Sequence, residues 1–296
     1  MVKVPIFKGS CTAIITPFND VGVDYEKLKR NIEYQYENGT SAILVCGTTG
    51  ENATLSTEEH DELVRVAVRE TNGRMKVIAG IGSNNTKNAL RSAENAKYAG
   101  ADGVLMVSPY YNKTSQKGLA EHFTYVADRV DIPMILYNIP SRTGISISVD
   151  VCKELSRHPN INGIKEASGD ISYAAKIRSA CGDDLHIWSG NDDCTVALMS
   201  LGALGVISVA SNVSPGALAK LCELCLDDKY KEASELFCRY SQLFSALFIE
   251  TNPIPVKTAM KFMGMDSGIM RLPLTELAQE NVGKLTSAMR TAGINI

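Results

Sequence analysis

One pattern returns in the same phase at three places along the chain: a glycine, two residues, and then a short apolar run. It reads Gly39-Thr-Ser-AILV, Gly100-Ala-Asp-GVLMV and Gly202-Ala-Leu-GVISV. Each glycine stands where a helix C-terminus takes a left-handed residue, and the apolar run starts three positions later, as in a helix that feeds a buried parallel strand. Five further runs, CTAIIT (11–16), KVIAG (76–80), PMILY (133–137), NGIK (162–165) and LHIWS (185–189), bring the predicted strands to eight. The stretches between them carry helical signals. Leu28, Ile32 and Tyr36 recur at i, i+4 and i+8, and Ser56 with Glu59 forms a capping box ahead of LVRVAV.

Eight strand–helix units over roughly 225 residues fit an α/β chain folded as a (β/α)8 TIM barrel. An open doubly wound sheet usually has fewer strands and carries its ligand motif after the first. Beyond residue 225 the strand signals stop, and KEASELFCRYSQLFSALF, the segment around PVKTAMKFMG and TELAQENVGKLTSAMRTAG read as helices. The expectation is a catalytic barrel over 1–225 and a helical region over 226–296 packed on it, with no linker between them.

Composition narrows the partners. With 296 residues, 45% of them hydrophobic and 21% charged, the chain can bury a large core. Lys plus Arg number 30 against 33 Asp plus Glu, a net charge of -3, so no global positive field draws it to nucleic acid or to an anionic membrane. Tyr110 and Tyr111 lack the surrounding basic patch that would make them stacking residues for a nucleic acid. No apolar run reaches the roughly 18 residues of a membrane span, and MVKVPIFKGSCTAII lacks the apolar core and cleavage site of a secretory signal, so a cytoplasmic location is expected. The eight cysteines follow no disulfide framework and are expected as reduced, mostly buried thiols. Cys222 and Cys225 form a CxxC, but inside the helical stretch ALAKLCELCLDD and without a second pair. His60, His122, His158 and His186 show no HxH or HExxH spacing, Gly80-Ile81-Gly82 lacks a third glycine, and GxxxxGK[ST] is absent. Neither a metal nor another cofactor is expected.

In barrels of this kind the chemistry comes from the C-terminal ends of the strands. There the chain places Gly47-Thr48-Thr49-Gly50-Glu51, Ser108-Pro109-Tyr110-Tyr111, the run Tyr137 to Gly144, and Lys165-Glu166. Lys165 ends an apolar strand and should point into the barrel mouth. A lysine amine that attacks ketones must be neutral, which calls for a pKa near 7 to 8 rather than about 10.4, and partial burial without a close carboxylate supplies that shift. An ion pair with an acid at the rim is the competing reading for this residue. Tyr137, ending the neighbouring strand, could exchange protons with a carbinolamine oxygen or simply pack with a wet hydroxyl. The Gly47–Gly50 loop offers hydroxyls and backbone N–H groups to a small carboxylate, although a plain tight turn fits it too. Arg142 has the planar fork for a second carboxylate, or is a solvated surface charge.

GTTGE (47–51), SPYYNK (108–113), YNIPSRTG (137–144), GIKEASG (163–169) and NPIPVK (252–257) occur in order over nearly the whole chain. On these motifs it resembles the pyruvate-dependent class I aldolase and lyase family, most closely its dihydrodipicolinate synthase branch. The resemblance implies that Lys165 forms a Schiff base with pyruvate. Tyr137 would donate and accept the proton, linked through the Thr48 hydroxyl to Tyr111, which reaches in from a neighbouring subunit. Thr49 would hold the pyruvate carboxylate, with backbone groups at Gly190 and Ile207 completing that pocket. Arg142 would take the carboxylate of L-aspartate 4-semialdehyde. The product would be 4-hydroxy-tetrahydrodipicolinate, at the first committed step of lysine and diaminopimelate biosynthesis. Arg142 and Thr48 separate this branch from the sialic acid lyases, which carry a different residue after YNIP and tend toward serine at the threonine. A sugar-acid lyase of the same family stays as the alternative, as does a pyruvate-binding barrel without activity, against which intact Lys165, Tyr137 and Thr48 argue. The resemblance further implies a homo-oligomer, typically a tetramer made of two dimers. His60, Asn84 and Tyr110 match its lysine effector pocket at the subunit interface. Thr57 stands for that pocket's other histidine and Asn88 for its acidic residue, so inhibition by lysine is expected to be weak or absent.

Overall fold

Parallel strands close into an eight-stranded barrel in the computed structural model, which describes residues 3–296. In chain order they are β1 (Gly9–Ala13), β2 (Ala42–Val45), β3 (Lys76–Gly80), β4 (Gly103–Val107), β5 (Met134–Asn138), β6 (Ile161–Glu166), β7 (His186–Ser189) and β8 (Gly205–Ser208). Each pairs with its sequence neighbours, and closure comes from β1. That strand pairs Gly9 with Gly205 through Thr12 with Ser208 on one side, and Cys11 with Ala42 through Ala13 with Leu44 on the other. The helices between strands are α1 (Tyr25–Glu37), α2 (Thr57–Thr71), α3 (Thr86–Ala99), α4 (Gln116–Ala127), α5 (Val149–Leu155), α6 (Ile171–Cys181) and α7 (Thr195–Ser200). After β8 come α8 (Pro215–Leu226), α9 (Tyr230–Ala246), α10 (Ile254–Phe262) and α11 (Gln279–Thr291).

Side chains alternate across each strand, which sorts the apolar residues into two cores. The larger lies between strands and helices. The smaller fills the barrel, with Leu44, Ile78, Leu105, Ile135, Trp188 and Ile207 among its members. Gly163 faces this interior beside the Trp188 indole, where any Cβ would collide. Trp188 therefore lies across the barrel and stacks on Phe7 at 5.0 Å between ring centroids.

The recurring glycines behave as the pattern predicts: Gly39, Gly100 and Gly202 have φ of +80°, +88° and +92°. β3 and β4 coincide with KVIAG and GVLMV. β1 departs from its prediction, ending at Ala13 instead of running on to Thr16. Side chains take over from the ladder there: Ile15 N–H donates to Asn212 Oδ1 at 3.1 Å, and Thr16 Oγ1 donates to Gly50 O at 2.7 Å. A small hairpin, Phe18–Asn19 with Gly22–Val23, follows and was not apparent in the sequence. The last helix is shorter than TELAQENVGKLTSAMRTAG suggests. It starts at Gln279 because Glu250 Oε1, from another segment, accepts from Ala278 N at 3.0 Å and from Asn281 Nδ2 at 2.7 Å, which fixes the helix start there. Cys222 and Cys225 are buried on α8, and all eight cysteines are free. Among the described residues no helix is long and apolar enough to cross a membrane.

Candidate active site

A cavity of about 300 Å³ opens at the C-terminal ends of the strands, with Thr48, Tyr137, Arg142, Asn252 and Leu274 in its wall. Five parts of the sequence meet here: the loop after β2, the end of β3 with Gly82, the end of β4 with Tyr110, the end of β5 with the turn that follows, and segments flanking α10.

Tyr137 and Lys165 are register partners on β5 and β6. Both are buried, Lys165 with only 4% of its surface exposed, and the lysine Nζ sits 4.4 Å from the centroid of the tyrosine ring. The acid-paired alternative for Lys165 does not hold: it enters no ion pair among the described residues, whereas Lys257 has Glu51 Oε1 at 2.6 Å. Tyr137 lines the cavity, whereas Lys165 is not among the lining residues. Gly190 abuts it from β7's exit, where a Cβ would lie 3.0 Å from Lys165 Cε and 2.6 Å from Ala167 Cβ. The Gly190 N–H donates to Glu166 O at 2.7 Å, which leaves its carbonyl as the group that can meet a ligand. Ile207 belongs to the inner cluster with Tyr137 and Trp188.

The GTTGE loop is a tight turn that still presents hydroxyls. Gly50 N–H donates to Gly47 O and Glu51 N–H to Thr48 O, both at 3.1 Å, so these two donors hold the turn, whereas the N–H groups of Thr48 and Thr49 have no partner among the described residues. Thr48 is half-buried in the cavity wall and Thr49 is buried, its Oγ1 accepting from Asn252 Nδ2 at 3.0 Å. Arg142 stands on the single helical turn Pro140–Thr143, with Nη2 donating to Asn252 O at 3.0 Å. It is an exposed cation at the mouth, tethered by that one bond.

Two buried carboxylates that the motifs did not single out hold this frame. Glu166 accepts from Asn138 Nδ2 at 2.8 Å and from Ser168 N–H at 2.6 Å, while Asn138 Oδ1 accepts from Ile147 N–H at 3.1 Å. These bonds bind the turn that carries Arg142 to β6. Burial pushes the Glu166 carboxyl above its usual range, against the pull of those donors. Asp192 accepts from the Ser208 hydroxyl and from the N–H groups of Val209 at 3.1 Å and Ala210 at 2.9 Å, fixing the exit of β8. Its carboxyl is likewise raised by burial, with Lys165 among the positive influences opposing the shift. Their sequence signal was an acid beside or just after a strand end.

Tyr111 is not brought to the site within one chain. It is 91% exposed, with φ +68°, a left-handed conformation that a bulky residue seldom adopts. Of the effector residues, Asn84 and Tyr110 are adjacent, Asn84 Nδ2 donating to Tyr110 O at 3.3 Å. His60 lies deeper, its Nε2 2.8 Å from Gly80 O. Among the described residues no three His, Cys, Asp or Glu side chains gather as a metal site.

Residues 6–292 match the model of the dihydrodipicolinate synthetase family. The chain belongs to this family. Relatives named 4-hydroxy-tetrahydrodipicolinate synthase include one from Thermoanaerobacter, 48% identical over 292 residues with 98% of each chain covered. Another, from Caldicellulosiruptor saccharolyticus, is 49% identical over 294 residues with 99% of each covered. The solved dihydrodipicolinate synthase of Aquifex aeolicus superposes with a TM-score of 0.96 at 48% identity, covering 98% of this chain and 99% of that one. The enzyme from Cyanidioschyzon merolae, solved with lysine bound, gives 0.95 at 42% identity over 98% and 99%.

Proposed function

We propose that this chain condenses pyruvate with L-aspartate 4-semialdehyde to 4-hydroxy-tetrahydrodipicolinate, as a Schiff-base-forming lyase of its family. The observation that carries the reading is Lys165, a buried amine without a carboxylate partner, packed on the ring of Tyr137. An amine free of any ion pair, packed against a phenol that can carry protons, is placed to act as a nucleophile toward a ketone.

In this reading Lys165 Nζ attacks C2 of pyruvate, and loss of water leaves a protonated imine. The imine withdraws electrons from the methyl group, a proton departs, and the enamine carbon bonds to the aldehyde carbon of the second substrate. The new alkoxide takes a proton, so its oxygen becomes the product hydroxyl. The substrate's own amine then attacks the imine carbon, displacing Lys165 and closing the ring. Tyr137 shuttles protons through Thr48, Thr49 holds the pyruvate carboxylate, backbone groups at Gly190 and Ile207 complete that pocket, Gly190 with its carbonyl as an acceptor for a protonated group, and Arg142 takes the carboxylate of the semialdehyde. Water leaves before the second substrate adds, so the kinetics are ping-pong.

Tyr111 completes the relay from a neighbouring subunit in a homo-oligomer, a tetramer of two dimers. Its exposure and left-handed backbone support a role outside its own chain. The catalytic unit is the barrel over 1–225, with 226–296 packed on it. It works in the cytoplasm, a location that eight free thiols favour.

The test is turnover of L-aspartate 4-semialdehyde with pyruvate, run with EDTA and no added metal, and repeated on Lys165→Ala. Robust activity that collapses in the variant is expected. A folded wild type that turns nothing over yet gains an irreversible pyruvate adduct at Lys165 with borohydride points to a sugar-acid lyase. Absence of that adduct would sink both enzymatic readings.

A further inference from the structure

Thr49 has one hydroxyl proton, and its direction decides whether the residue can serve a carboxylate. Asn252 Nδ2 donates to Thr49 Oγ1 at 3.0 Å, so the oxygen is the acceptor and its proton is left for another partner. The opposite end of the same amide, Oδ1, is buried with no partner among the described residues. An acceptor left that way weakens a fold instead of supporting it, so the Asn252 side chain is poorly explained by packing alone. Its backbone carbonyl meanwhile accepts from Arg142 Nη2 at 3.0 Å, so one residue touches both carboxylate-binding groups.

Asn252 is held firmly enough to do this. Five residues on, Lys257 reaches Glu51 Oε1 at 2.6 Å, Thr16 O at 2.9 Å and Ile269 O at 2.6 Å. Glu51 ends the GTTGE loop that carries Thr49, so loop and α10 are locked in one frame.

We propose that Asn252 is a positioning residue: by donating to Thr49 it forces the threonine proton toward the carboxylate of the keto acid bound at Lys165. This rests on the pyruvate reading above and deepens it. Selectivity for 2-keto acids over neutral ketones would then depend on an amide that itself contacts no substrate.

The test is borohydride trapping of pyruvate at Lys165, followed by mass spectrometry as pyruvate is varied, with KM for the semialdehyde measured in parallel. Asn252→Asp keeps the shape but replaces the donor by an acceptor that takes the Thr49 proton. Half-saturating pyruvate is expected to rise about tenfold or more, while the semialdehyde KM stays within about twofold. Asn252→Ala, which adds no charge, should move the same constant about threefold. In a Thr49→Val background Asn252→Ala should add no further loss, because no hydroxyl remains to orient. An unchanged half-saturation in folded Asn252→Ala, or equal losses with and without the Thr49 hydroxyl, overturns the assignment, and the alanine variant decides the matter if the aspartate variant does not fold. A wild type that forms no adduct removes the pyruvate reading itself and this inference with it. A wild-type adduct with indifferent Asn252 variants removes this inference alone.

Discussion

Two buried lysines, one at the barrel mouth and one under the C-terminal helices, share almost nothing but their burial. Lys257 is fully inaccessible, and its ammonium has Glu51 and two backbone carbonyls within hydrogen-bond distance, with the Phe18 ring at 4.4 Å. Lys165, 4% exposed, has the Tyr137 ring at 4.4 Å and no carboxylate partner among the described residues. The first environment gives each ammonium proton an acceptor. The second offers the amine a ring face and, beyond ion-pair distance, the charge of Asp192, so its nitrogen is not tied up in an ion pair. Burial alone therefore identifies neither lysine; the partners decide.

Giving both positions the same substitution puts that contrast at risk. Lys165→Met should lower turnover by about 10⁴-fold or more while leaving urea stability unchanged or raised, since an amine outside any ion pair is replaced by an apolar chain of similar length. Lys257→Met should act first on stability. Glu51 would be left buried without its cation, at a cost of about 3–5 kcal/mol in urea unfolding, part of which Glu51→Gln in the same chain should recover. If Lys257→Met unfolds no more easily than the wild type, or Lys165→Met keeps its turnover, the distinction fails.

Tyr137→Phe sharpens the picture of the mouth by removing one oxygen and keeping the ring against Lys165. If Tyr137 transfers protons, kcat should fall by about 10²–10³-fold while borohydride still traps pyruvate at Lys165. If the ring only packs, kcat should barely move.

The strands carrying Lys165 and Tyr137 were readable because buried parallel strands are short apolar runs, and a polar residue closing such a run stands out. The three glycine-led repeats set the barrel's phase for the same reason. The end of β1 was not readable, since Asn212 and Gly50, far away in sequence, replace its ladder partners. Nor was the start of α11, which depends on Glu250. Asn252 and Lys257 lay inside the NPIPVK motif, but nothing local told that one would reach Thr49 and the other Glu51. Motif chemistry suggested a backbone cradle in GTTGE; the turn uses the N–H groups of Gly50 and Glu51, which the motif did not tell apart from those of Thr48 and Thr49. The missing information in each case is a contact made over a long sequence separation.

A third buried base extends the comparison to stability. His122, between α3 and α4, bonds the Thr86 hydroxyl at 2.8 Å through Nδ1 and leaves Nε2 buried without a partner among the described residues. Burial lowers its pKa from 6.5 to about 4. The unfolded chain thus binds the proton more readily, so the neutral histidine's contribution is complete above pH 6.5 and is lost as pH falls toward about 4. The loss is about 3 kcal/mol across that window. Urea unfolding at pH 7 and pH 4.5 should show this extra slope in the wild type, and His122→Gln should remove it; equal slopes would mean that His122 is not held neutral.

The smallest expected effect concerns lysine as an inhibitor, where the recognition problem is again an ammonium in search of partners. His60, Asn84 and Tyr110 are present, but Asn84 is engaged with Tyr110 O and His60 with Gly80 O. The two positions that differ from the inhibited pattern lower the attraction further. Asn88 supplies no negative charge, and Thr57 Oγ1 accepts from Arg91 Nη1 at 3.0 Å, which sets a cation beside the site. The Asp61 carboxylate beside His60 is already shared with Asn95, and Asn88 adds no charge of its own, so an initial-rate titration should show weak inhibition or none. Asn88→Glu should tighten whatever inhibition exists by about tenfold, the worth of one charge-assisted hydrogen bond. Sharp micromolar inhibition of the wild type would refute this account of the pocket, and would mean that lysine is held there by groups other than the missing acid.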